Sequence, residues 1–266
     1  MNDNPRATVD AKTGPQVALF ITCLADLFRP AVGFASLSLL QRTGYAVSVP
    51  MAQTCCGQPA YNSGDYDAAR TLARRVIEVL APADYVVVPS GSCAGMLCHH
   101  YPRLLEGVWH ERALELAART FELTSFLEEI APRMTHATPE PATPAGSGVA
   151  YLDSCAGLRE LGIREQPRAL LRETRGIEAG ELEQRDVCCG FGGTFCAKMP
   201  AISAKMADDK LDSAMATGAH TLVGGDLGCL LHLAGRARRR GLDIELRHIA
   251  ELLAGETTGP AIGGEL

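Results

Sequence analysis

The stretches VALFITC (17–23) and VAYLDSC (149–155) are short apolar runs that each end at a cysteine. A run of this length that stops at a turn is typical of a buried strand in a parallel sheet, because helices cover both faces of such a sheet. Further cysteines follow each run at nearly the same spacing. The two series are Cys23, Cys55, Cys56 and Cys93, and Cys155, Cys188, Cys189 and Cys229. This repetition indicates an internal duplication of the chain.

The spacing within the two series differs by only a few residues. In the first series 31 residues separate the first cysteine from the adjacent pair, and 36 separate that pair from the last cysteine. In the second series the corresponding numbers are 32 and 39. A glycine follows each adjacent pair, which gives the triplet CCG at 55–57 and again at 188–190. The spacing therefore predicts that the four cysteines occupy equivalent positions in each half.

Strand and helix patterns alternate in the same order in both halves. Helical segments that end near glycine follow the first cysteines, PAVGFASLSLLQRTGY (30–45) and PRALLRETRG (167–176). Amphipathic helices follow the adjacent pairs, and the strands DYVVVPSG (84–91) and HTLVGG (220–225) lead to the last cysteines. The strand AVSVPM (46–51) has only a weak counterpart in the second half. This alternation predicts an α/β fold of two tandem, pseudo-symmetric Rossmann-like lobes with mainly parallel sheets.

Composition sets the predicted boundaries of the lobes. Residues 131–147 are rich in Pro, Ala and Thr, which is typical of a linker. Residues 1–15 contain no apolar run and are predicted to be a disordered N-terminal tail. We therefore predict a first cysteine-rich lobe at 16–130, a second at 148–256 and a C-terminal tail at 257–266.

Several classes of function are not indicated by the sequence. The apolar runs are far shorter than the roughly 20 residues of a membrane span, and the N-terminal residues lack a signal-peptide core, so a cytoplasmic location is expected. The net charge is −6 and basic residues cluster only at RARRRG (236–241), so nucleic-acid binding is not expected. The sequence has no dinucleotide-binding, P-loop or serine-hydrolase glycine motif.

The ten cysteines indicate metal or redox chemistry, because disulfides do not persist in a reducing cytosol. The cysteines of both series fall at strand ends or in the adjoining loops, where helix N-termini stabilise thiolates. Adjacent thiolates diverge, so they suit two irons of one cluster, and the next glycine lets the backbone fold closely around it. Four thiolates per half predict one [4Fe-4S] cluster per lobe. Zinc in one or both lobes is the alternative, although an adjacent pair is an awkward zinc chelate.

Other residues near the two series are secondary candidates. His232 lies three residues after the last cysteine on a predicted helix, which makes it either a further metal ligand or an ordinary surface or core histidine. Cys98 and Cys196 fall outside the repeat and are predicted to be small buried apolar residues. Asp153 and Asp226 either orient the second site or cap the following helix. The glycines predicted to shape the enclosing loops are Gly57, Gly190, Gly192 and Gly193.

The motifs CCGQPAYNSGD, PSGSCAGM and CCGFGGTF, set in the duplicated pattern, resemble the cysteine-rich (CCG) domain proteins. The resemblance covers residues 16 to 254. It is greatest to the compact lactate-utilisation members of the family, which have no ferredoxin module. The B subunit of heterodisulfide reductase and the iron–sulfur subunit of glycolate oxidase are more distant relatives.

The resemblance implies that each series of four cysteines forms one iron–sulfur site. It further implies electron transfer during oxidation of L-lactate to pyruvate, as one component of a complex rather than a complete enzyme. The implied partners are companion lactate-utilisation subunits, one of which is a ferredoxin-type iron–sulfur protein. Met96 and His232 stand where the heterodisulfide reductases have a further cysteine. A heterodisulfide or quinone reductase-like subunit and a zinc-binding structural protein are the alternative functions.

Overall fold

The computed structural model describes residues 14–131 and 148–264 of the 266-residue chain. Each half of the sequence forms one four-stranded sheet, and all the strand pairs within these ranges are parallel. The predicted α/β fold with two similar lobes is therefore confirmed. Residues 1–13 and 132–147 contain most of the predicted N-terminal tail and linker and lie outside the described residues. The predicted lobe boundaries stay predictions.

The first lobe has the strand order β2-β1-β3-β4. Its strands are β1 (Gln16–Leu19), β2 (Ala46–Ser48), β3 (Tyr85–Val88) and β4 (Thr120–Glu122). Its helices are α1 (Cys23–Phe28), α2 (Pro30–Gln41), α3 (Gln58–Ser63), α4 (Tyr66–Leu80), α5 (Gly91–Gly95), α6 (Tyr101–Leu104), α7 (Val108–Ala117) and α8 (Leu123–Ser125). Turns of π-helix at Met96–His100 and Phe126–Ile130 extend α5 and α8.

The second lobe repeats this arrangement in the order β6-β5-β7-β8. Its strands are β5 (Val149–Leu152), β6 (Gly180–Glu181), β7 (Thr221–Gly224) and β8 (Glu245–His248). Its helices are α9 (Cys155–Glu160), α10 (Gln166–Arg175), α11 (Thr194–Lys198), α12 (Pro200–Ala216), α13 (Leu227–Arg240) and α14 (Ile249–Ala254). The edge strand β6 is only two residues long, which explains its weak signal in the sequence. A helix with the length and apolar composition needed to cross a bilayer does not occur in the described ranges.

The helices that follow the adjacent cysteine pairs, α4 and α12, bury equivalent positions against their sheets. The buried residues are Ala69, Ala73, Val76, Ile77 and Leu80 in α4, and Ser203, Ala207, Lys210, Leu211 and Ala214 in α12. Each residue of the second set lies 134 positions after its counterpart in the first. The duplication therefore extends to the side-chain level, and unlike residues at equivalent positions can be identified directly.

The two lobes share one hydrophobic core. A single cluster of buried side chains takes Leu39 and Phe126 from the first lobe and Tyr151 and Ile249 from the second. The helices α2 and α14 pack against each other across this boundary. Burial of apolar surface contributes about 25 cal/mol per Å², so the shared cluster opposes separation of the lobes.

Two helix crossings link the cysteine-bearing turns of opposite lobes. Helix α5 of the first lobe packs against α9 of the second, and α1 packs against α13. At the first crossing the backbones touch, because a Cβ atom at Gly91 would lie 2.9 Å from the Cα of Gly157. At each crossing, a helix of one lobe therefore supports the cysteine-bearing turn of the other lobe.

The C-terminal tail returns to the second lobe beside β8. The Ile262 amide donates to the carbonyl of Leu246 at 2.9 Å, and the Ile262 side chain is buried. Arg247 Nη2 donates to the carbonyl of Gly259 at 3.0 Å. Gly259 and Ile262 therefore attach this segment to the second lobe, while most of its other residues are exposed.

Glu122 is a buried carboxyl group at the end of β4, where the first lobe meets the second. It is only 4% exposed, and its Oε2 accepts backbone N–H bonds from Thr124 at 2.7 Å and Ser125 at 3.3 Å. Burial raises the pKa of Glu122 to about 7, although these hydrogen bonds lower it. The ordinary value is 4.5, so the folded state favours the protonated carboxyl.

We expect the free energy of unfolding to fall between about pH 5 and about pH 8, by an amount that Glu122→Gln removes. A carboxyl whose pKa is raised by folding contributes its full stabilisation below the unfolded pKa and loses it as the pH rises through the folded value. The shift to about 7 corresponds to a loss of about 3 kcal/mol. Urea unfolding of both proteins across this range measures the difference.

Glu78→Gln is the matched control, since Glu78 lies on the exposed face of α4. That variant should keep the wild-type pH dependence. If wild type and Glu122→Gln lost stability in parallel, the buried carboxyl would not be the cause.

Candidate functional site

A cavity of about 360 Å³ lies between the two lobes, and all eight patterned cysteines line it. We call Cys23, Cys55, Cys56 and Cys93 the first quartet, and Cys155, Cys188, Cys189 and Cys229 the second quartet. Both sheets direct the turns after their strands toward this cavity, as is typical of ligand sites in parallel α/β folds. The structure therefore brings the two cysteine series together at one place.

The first quartet consists of two contacting sulfur pairs. Cys23 opens α1, where the Thr22 side chain accepts a hydrogen bond from the Ala25 amide. The Sγ atoms of Cys23 and Cys55 are 3.7 Å apart, and those of Cys56 and Cys93 are 3.4 Å apart. The adjacent pair therefore divides between the turns that follow β1 and β3.

The second quartet has the same arrangement. Cys155 opens α9, where the Ser154 hydroxyl accepts from the Gly157 amide at 3.2 Å. Hydrogen bonding with Cys188 raises the pKa of Cys155, as Cys55 does for Cys23 in the first quartet. The Sγ atoms of Cys189 and Cys229 are 3.0 Å apart. Each member of an adjacent pair thus contacts a cysteine from a different strand end.

The glycine after each pair lets the chain turn back toward the sulfur atoms. Gly57 and Gly190 have φ angles of 84° and 86°, a left-handed conformation that favours glycine. The Gly57 amide donates to Cys55 Sγ at 3.5 Å, and the Gly190 amide donates to Cys188 Sγ at 3.3 Å. At Gly190 a Cβ atom would also lie 2.6 Å from the carbonyl oxygen of Ser203, so the second loop has no space for a side chain.

Different residues support the two CCG loops from behind. In the first lobe, the buried Tyr101 hydroxyl donates to the carbonyl of Cys56 at 2.8 Å. In the second lobe, the Ser203 hydroxyl donates to the carbonyl of Gly190 at 2.8 Å, and His232 Nε2 lies 3.2 Å from the same hydroxyl. The residues lining the cavity do not include His232. The structure therefore places this histidine behind the second loop, where it positions Ser203.

The cysteines within each quartet differ in the pKa of their thiol groups. Hydrogen bonds from Cys23 and Cys56 lower the pKa of Cys55 to about 2, and the Gly57 amide adds to this effect. The same bond raises the pKa of Cys23, with burial as a further cause. In the second quartet, hydrogen bonding between Cys155 and Cys188 lowers the pKa of Cys188 to about 2 and raises the pKa of Cys155. Each quartet thus contains a stabilised thiolate beside thiols that retain their protons.

Two acidic residues lie just before cysteines of the second quartet, and neither carboxylate caps the next helix. Asp153 forms a bidentate pair with Arg168 at 3.0 and 2.9 Å. Asp226 instead accepts from the Ser92 amide at 2.9 Å and from the Ser90 hydroxyl at 3.2 Å, both in the first lobe. The capping alternative is therefore wrong, and Asp226 joins the turns that carry the last cysteine of each quartet.

His99 and His100 form a contact between the lobes that the sequence did not predict. His99 Nε2 lies 2.8 Å from the backbone carbonyl of Glu160, and His100 Nε2 lies 3.1 Å from its carboxylate. Glu160 belongs to α9 and lines the cavity. The paired histidines are a visible signal in the sequence, but their partner lies about 60 residues later, so the sequence alone does not identify this contact.

Three further residues lie outside the cavity, and Cys98 and Cys196 are only partly buried, so the prediction that both are buried is wrong. Met96 is fully buried in the core of the first lobe. Burial raises the pKa of the Cys98 thiol to about 11, so this cysteine is protonated near neutral pH. The Cys196 thiol donates to the carbonyl of Gly193 at 2.9 Å. Cys98 and Cys196 do not line the cavity.

The donor set fits a thiolate-bound cofactor. Iron–sulfur clusters are commonly held by four cysteine thiolates, and each quartet presents four sulfur atoms to the cavity. The steric limit at Gly190 shows that the second loop leaves no room for a side chain behind its cysteine pair. Among the residues that the structure describes, no three Cys, His, Asp or Glu side chains surround a single ion position. The sulfurs occur instead as contacting pairs.

Comparison with known proteins identifies the family. The model of the cysteine-rich domain matches residues 17–98 and 149–234, one match for each lobe. The chain belongs to the cysteine-rich (CCG) domain family. Both matches contain a complete CCG triplet, so the duplication seen in the sequence is a duplication of this domain.

Within this family the chain is similar to proteins named for lactate utilisation. It is 45% identical to Lactate utilization protein A of Halalkalibacterium halodurans, over 90% of this chain and 96% of the relative. It is 42% identical to Lactate utilization protein A 2 of Bacillus cereus, over 90% and 98%. A solved Yersinia pestis chain assigned as an Asp/Glu racemase aligns at a TM-score of 0.36 and 12% identity, over 90% of this chain and 96% of that chain. That similarity is too low to support a conclusion.

We expect Gly190→Ala to destabilise the protein more than Gly57→Ala. Both changes place a side chain at a positive φ angle, which costs about 1–2 kcal/mol. Only Gly190→Ala also forces Cβ against the Ser203 carbonyl oxygen, which adds about 1–3 kcal/mol of overlap. Urea unfolding of the two variants measures the difference.

Gly44→Ala supplies the control, because Gly44 has a φ angle of 83° and open space around its Cβ position. Gly44→Ala should lower the free energy of unfolding only by the amount that a side chain at a positive φ angle costs. Equal losses of stability in the three variants would contradict the close contact at Gly190.

Proposed function

We propose that this protein is an iron–sulfur electron-transfer subunit of an L-lactate-oxidising complex and that each quartet holds one [4Fe-4S] cluster. The single observation that carries the proposal is the cavity in which both quartets meet. The family membership and the names of its relatives support the link to lactate utilisation. The proposed metal ligands are therefore the eight cysteines of the two quartets.

The division of each adjacent pair favours a cluster over a zinc ion. A tetrahedral zinc site needs four sulfurs about 2.3 Å from one ion. Here Cys55 and Cys56 diverge toward two different strand ends, which suits thiolates that bind different irons of one cluster. Cys188 and Cys189 diverge in the same way. We therefore propose zinc only as the alternative that metal analysis must exclude.

The protein's own residues would hold and shield the bound group. The CCG loops bring backbone N–H donors to Cys55 and Cys188, and such bonds to sulfur tune the potential of an iron–sulfur centre. Helices α3 and α11, which follow the two CCG loops, contact each other beside the cavity. When bound, the clusters supply one-electron storage. The chain contributes the ligands, their orientation and partial exclusion of water.

Companion subunits would supply the rest of the reaction. Lactate oxidation releases two electrons, whereas an iron–sulfur cluster exchanges them singly. We propose that a companion ferredoxin-type iron–sulfur protein exchanges electrons with this chain, and that oxidation of lactate takes place on another subunit. The ten cysteines are all free thiols, which is consistent with the proposed cytoplasmic location.

Anaerobic reconstitution followed by assay of iron, acid-labile sulfide and zinc tests the proposal. The expected result is iron with equimolar sulfide in amounts that fill two clusters per chain. Replacing Cys55 and Cys56 by Ala should remove half of both, and replacing Cys188 and Cys189 by Ala should remove the other half. Each double change eliminates two of four proposed ligands.

Cys98→Ala combined with Cys196→Ala is the control, since neither thiol lines the cavity. That protein should retain the full content of iron and sulfide. Stoichiometric zinc without sulfide in wild type would reject the iron–sulfur function. Loss of metal in the control would reject the proposed ligand set.

We also expect loading of the quartets to release protons. Metal ligation requires thiolates, and hydrogen bonding to Cys55 and Cys188 raises the pKa of Cys23 and Cys155 above the usual 9.0. These thiols are therefore protonated at neutral pH, and acid should weaken cluster assembly. A pH indicator in weakly buffered solution measures the release during reconstitution. A yield of clusters that does not depend on pH would contradict the protonation assigned to the quartets.

A further inference from the structure

Two cations lie beside the second quartet, and the equivalent positions of the first lobe are apolar. Lys210 of α12 corresponds to Val76 of α4, because both belong to the matching sets of buried positions. Arg159 corresponds to Leu27, since each is the fourth residue after the first cysteine of its quartet. The duplication therefore preserves the cysteines but not the charges around them.

Lys210 is a buried residue of α12, the helix that contacts the second CCG loop through Ser203. It is only 2% exposed, and its Nζ donates to the carbonyl of Gln184, four residues before Cys188. Its neighbours in α12 belong to the same core cluster as Cys189. Burial lowers the pKa of Lys210, and negative charge at the second quartet opposes that shift. Metal ligation, which converts the cysteines to thiolates, would therefore favour the ammonium form.

Arg159 supplies a second positive charge at the cavity. It lines the cavity, and its Nη2 donates to the carbonyl of Asp186 at 2.6 Å, two residues before Cys188. Hydrogen bonds from Cys155 and Cys189 and, less strongly, the charge of Arg159 lower the pKa of Cys188. In the described ranges, no carboxylate lies within 4.0 Å of the charged group of Arg159 or Lys210.

The acidic groups near the cavity do not cancel these two charges. Asp153 is neutralised by its bidentate pair with Arg168. Glu160 lies beside His100. Asp226 bonds to the Ser90 and Ser92 turn, so its negative charge acts on the first quartet as well as the second. The first quartet is supported by neutral hydroxyl groups, those of Tyr101 at the Cys56 carbonyl and Ser90 at the Cys93 amide. The second quartet therefore lies in a more positive field.

We propose that Lys210 and Arg159 give the second-lobe cluster a higher reduction potential than the first-lobe cluster, so that electrons are held in the second lobe. The inference rests on the proposed function. Reduction adds negative charge, which nearby cations stabilise. A chain with both quartets loaded would then retain an electron at the second quartet in preference to the first.

A redox titration followed by electron paramagnetic resonance tests the order of the two potentials. The two pair variants isolate the clusters, because replacing Cys55 and Cys56 by Ala leaves only the second-lobe cluster and replacing Cys188 and Cys189 leaves only the first. We expect the second-lobe cluster to have the higher potential by at least a tenfold shift in the reduction equilibrium. That shift corresponds to about 59 mV for a one-electron couple.

Lys210→Met tests the cause of the difference, since it removes the charge while keeping an unbranched side chain. It should lower the second-lobe potential by a similar tenfold shift and leave the first-lobe potential nearly unchanged. Arg159→Gln should act in the same direction and does not alter the core, because Arg159 is exposed. It keeps the test decisive if Lys210→Met fails to fold. Lys205→Met on the exposed side of α12 removes the same charge at a distance and should leave both potentials unchanged.

Iron and sulfide are assayed on every sample, so that failure of this inference can be distinguished from failure of the proposed function. Clusters present with equal or reversed potentials would overturn this inference and leave the proposed function standing. Clusters whose potentials do not respond to Lys210→Met or Arg159→Gln would overturn it as well. Absence of iron and sulfide from wild type would overturn the proposed function and this inference together.

Discussion

The divergence of the adjacent cysteines is the constraint on which the cavity depends. Consecutive side chains cannot point to the same place, so Cys55 and Cys56 reach sulfur atoms at the ends of two different strands. This requires the backbone to pass close to the sulfur atoms and then turn sharply, which Gly57 and Gly190 allow at positive φ. The sheets, helix starts and supporting hydrogen bonds hold this local geometry in place.

Each half of the duplicated chain supplies one quartet, and the two halves together form the cavity that both quartets line. Helices α5 and α9 cross beside the cavity, as do α1 and α13, and residues of both lobes line it. Asp226 reinforces this arrangement by accepting hydrogen bonds from the turn before Cys93. The shared core between α2 and α14 lies behind these contacts. The cavity is therefore formed by the pair of lobes and not by one lobe.

Local patterns were sufficient to predict the sheets, the repeat and the eight cavity cysteines. Strand and helix periodicity depends on neighbouring residues, and a cysteine at a strand end reaches the edge of a parallel sheet whatever the distant sequence is. The positions of His232, Asp226 and Glu160 could not be predicted in this way. Their partners lie in other elements, and the choice between ligand, cap and brace depends on how those elements pack. The buried charge of Lys210 was hidden for the same reason, since its helix reads as an ordinary amphipathic segment.

The contact between Gly91 and Gly157 makes exact symmetry unattainable. Their counterparts in the other crossing are Leu227 and Ala25, which keep side chains at the equivalent positions. A chain assembled from two identical repeats would have to place leucine where the backbones touch or remove it from the core of the second lobe. The copies have thus become complementary parts that are no longer interchangeable, and a consensus of the two would fit neither place.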